Sequence, residues 1–119
     1  MFERKEYDEF PTIIIEEGNI TLKGRSIPED ADIAYYPFIK RLELLALEQN
    51  PLTVNFILDY YNTASTRYIT RIISILEDMA KVTDVIINWY YLPMDEDMFD
   101  LGEDYKELST KIKFNIVKR

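Results

Sequence analysis

The chain has 119 residues, 47% of them hydrophobic and 30% charged, which suits one compact domain and excludes a disordered chain. Its formal net charge of -8 disfavours nucleic acid and anionic lipid as partners. With no Cys and no His, it has no disulfide, thiolate nucleophile, imidazole metal ligand or His-dependent triad.

In chain order, residues 1–10 are charged and read as a flexible arm ahead of a single domain spanning 11–119. The arm has no apolar signal core, and no apolar run approaches the ~18 residues of a membrane span, so a cytoplasmic protein is expected. Thr12–Glu16 reads as a strand, Glu17-Gly18-Asn19 as a turn and Ile20–Gly24 as a second strand, together an antiparallel hairpin at one side of a sheet. Asp30 or Asp32 can cap the helix that follows over residues 33–49. Its regular part is expected to begin near Tyr36, so that Pro37 falls in the first turn. Asn50-Pro51 ends it.

Leu52–Tyr61 is an apolar, β-branched and aromatic run, the signature of a mostly buried central strand. Helical spacing of Ile69, Ile72, Ile73, Leu76 and Met79 then predicts a helix over 64–81. Residues 84–91 form another strand, and strand–helix–strand at this spacing is a parallel βαβ unit. An acidic loop enters a shorter helix ending near Leu108, and residues 111–117 alternate as a last edge strand guarded by Lys. The predicted class is α/β, bordering on α+β: a small mixed sheet of about five strands, an N-terminal hairpin, a central βαβ unit and three helices. Asn55 and Asn88 interrupt apolar strands and read as hydrogen-bonded structural residues.

Asn62-Thr63-Ala64-Ser65-Thr66 sits where a strand hands over to a helix, a position with free amides and a positive dipole end. Most such residues only cap. Here four polar side chains exceed what one cap needs, and Arg67 lies where the dipole disfavours a cation. Thr63 therefore reads as a phosphate acceptor, with Ser65 as second choice and Asn62, Thr66 and Arg67 around the phosphate. Asp95 and Asp97 should open onto the same sheet edge, beside the aromatics Tyr61 and Tyr91. Two alternatives use those carboxylates: a Mg²⁺-dependent phosphohydrolase built on Asp59, Asp95, Asp97 and Glu103, or a receiver-like domain phosphorylated on Asp59. No cofactor is expected for the switch reading.

Four blocks in order resemble the SiaC family of regulatory phosphoproteins: Gly24-Arg25-Ser26-Ile27-Pro28-Glu29-Asp30-Ala31, Asp59-Tyr60-Tyr61-Asn62-Thr63-Ala64-Ser65, Asn88-Trp89-Tyr90-Tyr91, and Asp95-Glu96-Asp97-Met98 with Gly102-Glu103-Asp104. The resemblance implies a fold like that of STAS-type anti-sigma-factor antagonists. It implies phosphorylation of a Thr at the strand-to-helix junction by a partner kinase, and removal of the phosphate by a PP2C-type phosphatase. It also implies a downstream target such as a diguanylate cyclase. By motif the acceptor falls on Thr63. Ala64 stands where the family often has Ser, which removes one neighbouring hydroxyl.

Overall fold

The computed structural model describes residues 11–26 and 31–119. The expected arm at 1–10 and the cap at Asp30 lie outside the described residues. The elements are β1 (Thr12–Glu16), β2 (Asn19–Ser26), α1 (Ala31–Glu48), β3 (Leu52–Tyr61), α2 (Thr63–Met79), β4 (Val85–Tyr91), α3 (Glu96–Leu108) and β5 (Lys113–Lys118).

They build one five-stranded sheet in the order β1-β2-β3-β4-β5. β1 is antiparallel to β2 across the Gly18 turn, and the other three neighbouring pairs are parallel. The predicted mixed sheet with a hairpin and a central βαβ unit is thus present. Helical crossovers also join β2 to β3 and β4 to β5, so the βαβ unit occurs three times in succession.

Alternate strand residues supply the core. Ile20, Leu22, Val54, Phe56, Leu58, Ile87 and Trp89 are buried and meet the apolar faces of α1 and α2. The opposite parity stays partly open and carries an amide ladder. Asn55 Nδ2 donates to Asn19 Oδ1 at 3.0 Å, Asn88 Nδ2 to Asn55 Oδ1 at 2.9 Å and Asn115 Nδ2 to Asn88 Oδ1 at 3.0 Å. Asn55 and Asn88 are structural as expected, and Asn19 and Asn115 extend the row over four strands.

Several boundaries differ from expectation: β2 runs two residues past Gly24 to Ser26, α2 stops at Met79, two residues early, and two further shifts have a clear cause. α1 starts at Ala31, before Tyr36, so Asp32 lies inside the helix and Pro37 sits in its second turn. The missing Pro amide removes one helical bond. Burial of Tyr35, Phe38, Ile39 and Leu42 on either side of it holds the helix regardless. β5 starts at Lys113, two residues late, because Glu77 of α2 captures the preceding backbone. Its carboxylate accepts from the amides of Thr110 (2.9 Å), Lys111 (3.0 Å) and Ile112 (3.1 Å), and from the Thr110 hydroxyl.

Partial burial alone would raise the Glu77 carboxyl. The Thr110 hydroxyl and those amides override it and hold the group at about 2, below its ordinary 4.5. A depressed carboxylate stabilises the fold above its unfolded value, and that contribution fades as pH falls through the folded value. Glu77→Gln is expected to cost about 1–2 kcal/mol at pH 7, after allowance for solvent screening. In urea titrations, the gap from wild type should close between roughly pH 5 and pH 2.

Trp89, the single Trp, lies between Phe56, Tyr105 and Phe114, with centroids at 5.1, 5.5 and 6.3 Å. Its Nε1 donates to the Met98 carbonyl of α3 at 2.9 Å. A Cβ on Gly102 would stand 2.5 Å from the indole Cδ1. Gly102→Ala must therefore displace α3 or the ring. It is expected to cost about 1–3 kcal/mol and to shift Trp89 fluorescence, the readout that localises the damage.

Candidate functional site

Because β3 and β4 are parallel, their C-terminal ends open onto one edge of the sheet. A shallow depression of about 320 Å³ lies there, between Tyr61, Asn62, Thr63 and Thr66 on one side and Asp95 and Asp97 on the other. The two stretches singled out in the sequence share this depression.

Asn62 is the N-cap of α2, in extended conformation (φ -112, ψ 174). Its side-chain oxygen accepts from the Ser65 amide at 2.9 Å and from the Ser65 hydroxyl at 2.9 Å. Capping by Asn62 leaves Thr63 as the first helical residue, where its amide and that of Ala64 have no acceptor within the helix. Thr63 is exposed, and its hydroxyl makes no hydrogen bond among the described residues. Arg67 is exposed one turn further on, its guanidinium carbon 5.6 Å from the Tyr68 ring centroid. It forms no ion pair among the described residues.

The other hydroxyls are occupied. Ser65 is fully buried, and its Oγ is also 2.6 Å from the Ser26 carbonyl oxygen, so its single proton is shared between that carbonyl and Asn62 Oδ1. Ser26 is equally buried, and its Oγ bonds to Ser65 Oγ at 2.8 Å and to the Tyr35 phenol. The second-choice acceptor is thereby corrected: Ser65 is a structural tie, closed to an enzyme in this conformation. Thr66 is half-buried, with its hydroxyl on the Asn62 carbonyl at 3.3 Å.

On the facing loop, Asp95 caps α3, accepting from the Met98 amide at 3.0 Å. Asp97 is exposed, and Tyr91 is half-buried with its ring edge-on to Phe99 at 5.0 Å. Burial raises the Tyr61 phenol above its usual value, and the charges of Asp97, Asp95, Asp100 and Asp104 raise it further. The field over the depression is therefore negative. Asp59 also lines the depression, and its carboxylate accepts from Arg119 Nη1 at 3.0 Å. Among the described residues no three carboxylates converge as a metal cradle requires.

Sequence reasoning missed Ser26, Tyr35 and Arg119. Ser26 lay within one of the four matched blocks, but nothing in local spacing tied it to Ser65, 39 residues away.

The fold and edge define a class: a small α/β domain with an antiparallel edge strand and an exposed threonine at a capped helix start, facing an acidic loop. Residues 4–119 match the profile of the SiaC family regulatory phosphoproteins. The chain belongs to the SiaC family. An uncharacterised protein of Pseudomonas aeruginosa (strain UCBPP-PA14) is 29% identical over 92 residues, covering 76% of this chain and 73% of that protein. A chain in the crystal structure of diguanylate cyclase SiaD in complex with its activator SiaC, from P. aeruginosa, superposes with a TM-score of 0.85. It is 24% identical and covers 94% of this chain and 95% of that one. Apo-SiaC from the same organism gives 0.78 at 23% identity, covering 93% and 91%. At these identities the likeness concerns the fold.

The geometry separates the roles of neighbouring hydroxyls. Thr63→Ala should leave stability within about 0.5 kcal/mol of wild type, as for a surface substitution. Ser65→Ala should cost about 1–3 kcal/mol, because it strips a bond from the buried Ser26 pair. Urea midpoints of the two variants measure the contrast.

Proposed function

We propose that this protein is a non-catalytic regulatory phosphoprotein whose partner binding is switched by reversible phosphorylation of Thr63. The observation that carries the reading is the exposure of Thr63. Of the hydroxyls at this helix start, its hydroxyl alone is exposed and unbonded, and it faces a negatively charged loop across a shared depression. A partner kinase transfers the γ-phosphoryl of ATP to Thr63 Oγ, releasing ADP and a proton. A PP2C-type phosphatase hydrolyses the ester and releases inorganic phosphate. Asn62, Thr66, Arg67 and the first-turn amides hold the phosphate. Tyr61, Tyr91, Asp95 and Asp97 form the surface the partner reads.

The phosphate adds roughly two negative charges beside Asp95 and Asp97, which form no ion pair among the described residues, so a docked partner meets a changed potential. The solved complex of SiaD with its activator SiaC makes a diguanylate cyclase the first partner to test, with a cytoplasmic setting to match. The phosphohydrolase reading is weaker: Asp95 is used as a helix cap and Asp59 as an ion-pair partner.

Phosphopeptide mapping of protein recovered from cells should find the modification on Thr63, and Thr63→Ala should abolish it. Thr63→Asp should change affinity for the cognate cyclase at least tenfold relative to Thr63→Ala, or ~1.4 kcal/mol. Equal phosphorylation of wild type and Thr63→Ala would overturn the assignment.

A further inference from the structure

Helix α1 is apolar on both sides. Its inner side carries the buried Tyr35, Phe38, Ile39 and Leu42. Its outer side carries Ile33 (73% exposed), Tyr36 (60%), Leu44 (62%) and Leu47 (78%). At 3.6 residues per turn these four fall with Lys40 in one stripe roughly 80° wide, opposite the core face. A solvated helix surface is ordinarily polar, so a stripe of four large apolar side chains marks a contact surface.

We infer that this stripe is the contact between two copies of the chain, their α1 helices antiparallel about a two-fold axis through Lys40. The argument is the spacing. Tyr36 and Leu44 lie four residues either side of Lys40, and Ile33 and Leu47 lie seven either side. An isologous contact needs a surface that is its own complement under a two-fold rotation. Here the rotation sets Tyr36 against the other copy's Leu44, and Ile33 against its Leu47. A heterologous partner needs no such palindrome.

Charge at the axis is partly balanced. Lys40 Nζ is 3.5 Å from Glu43 Oε1 and 5.5 Å from the Tyr36 ring centroid. Glu43 is shared with Arg71 Nη2 at 3.8 Å, so it offsets part of the like charge that the two Lys40 ammonium groups bring together. The stripe offers on the order of 500 Å² per copy, about 1,000 Å² in all, the lower limit for a specific interface. The expected dimer is a dissociable one. Because the helices run antiparallel, the two Thr63 edges point to opposite ends and stay accessible.

Sedimentation equilibrium of the full chain should show a monomer–dimer equilibrium in the micromolar range. The dimer fraction should rise with salt from about 20 to about 500 mM, since each copy carries -8. Leu44→Glu and Tyr36→Lys should each weaken the dimer at least tenfold while Trp89 emission stays native. Mixing the two variants should restore dimer, because the axis sets position 36 against position 44. The chain has no Cys, so Lys40→Cys carries a single thiol, and it should oxidise to a disulfide dimer many times faster than Ser74→Cys on α2. A chain that stays monomeric to about 1 mM overturns the inference, and so does a dimer indifferent to Leu44→Glu or equal oxidation of the two Cys variants. Loss of cyclase binding by Leu44→Glu in a monomeric chain also overturns it, and assigns the stripe to a heterologous helix.

Discussion

Handedness constrains this molecule more than any single contact. From β2 onward each strand is followed by a helix and then by the next parallel strand, always stepping in the same direction across the sheet. Such crossovers are right-handed almost without exception. A right-handed crossover repeated in one direction must lay every helix on the same face. Burial agrees, since one parity of strand residues is sealed and the other stays half-open. The half-open face then has to be wettable without breaking the sheet. Paired Asn amides meet both demands, each donating to the next across four strands. A one-residue slip of β3, β4 or β5 would replace an amide with an apolar side chain, so the ladder also fixes register.

The same topology delivers the C-terminal ends of the parallel strands to one edge, where a second constraint acts. Gly24 takes φ 111, in the region that favours glycine, and a register shift follows it. That irregularity carries the end of β2 to Ser26, which meets Ser65 of α2 and Tyr35 of α1 in a buried hydroxyl cluster. Burial raises the Tyr35 phenol, and its hydrogen bonds to Ser26 and Ser65 only partly offset this, so the cluster stays neutral. Three elements are thereby pinned directly beneath Thr63. Under the proposed function, charge added at Thr63 would sit above this tied cluster and be felt outward, in solvent and by anything docked there.

How much of this was legible depended on range. Helix and strand identities followed from local periodicity, and α2 and β3 were placed within two residues at each end. The junction was legible because small hydroxyl residues between an apolar run and a helical pattern have few other uses. Pro37 misled, since its local penalty is outweighed by burial that depends on the sheet. The start of β5 misled because alternation continues through Lys111 and Ile112, while Glu77, more than 30 residues earlier, takes their amides. Ser65 misled because nothing local separates a buried tie from an exposed acceptor. The partner that decides it, Ser26, is distant in sequence. In each case a nonlocal hydrogen bond or core contact overrode a correct local rule.

The electrostatics of the edge explain why a small modification there can matter without any refolding. Seven carboxylates lie from Asp95 to Glu107, against one lysine, and the Tyr61 phenol is raised by burial first and by Asp97, Asp95, Asp100 and Asp104 in addition. A phosphate on Thr63 would gain from the α2 dipole, the two open amides and Arg67, each worth about 0.3–1 kcal/mol at a surface. It would lose part of this to Asp95 and Asp97, which carry the same sign and line the same depression. The terms are opposite in sign and offset one another in part. Its charge is left largely uncompensated at the surface. A partner that seats against this edge would meet that charge at close range, where bulk salt screens it least. On the proposed reading the switch would reside in the encounter between two proteins, and the domain itself would need to do no more than hold one hydroxyl in place.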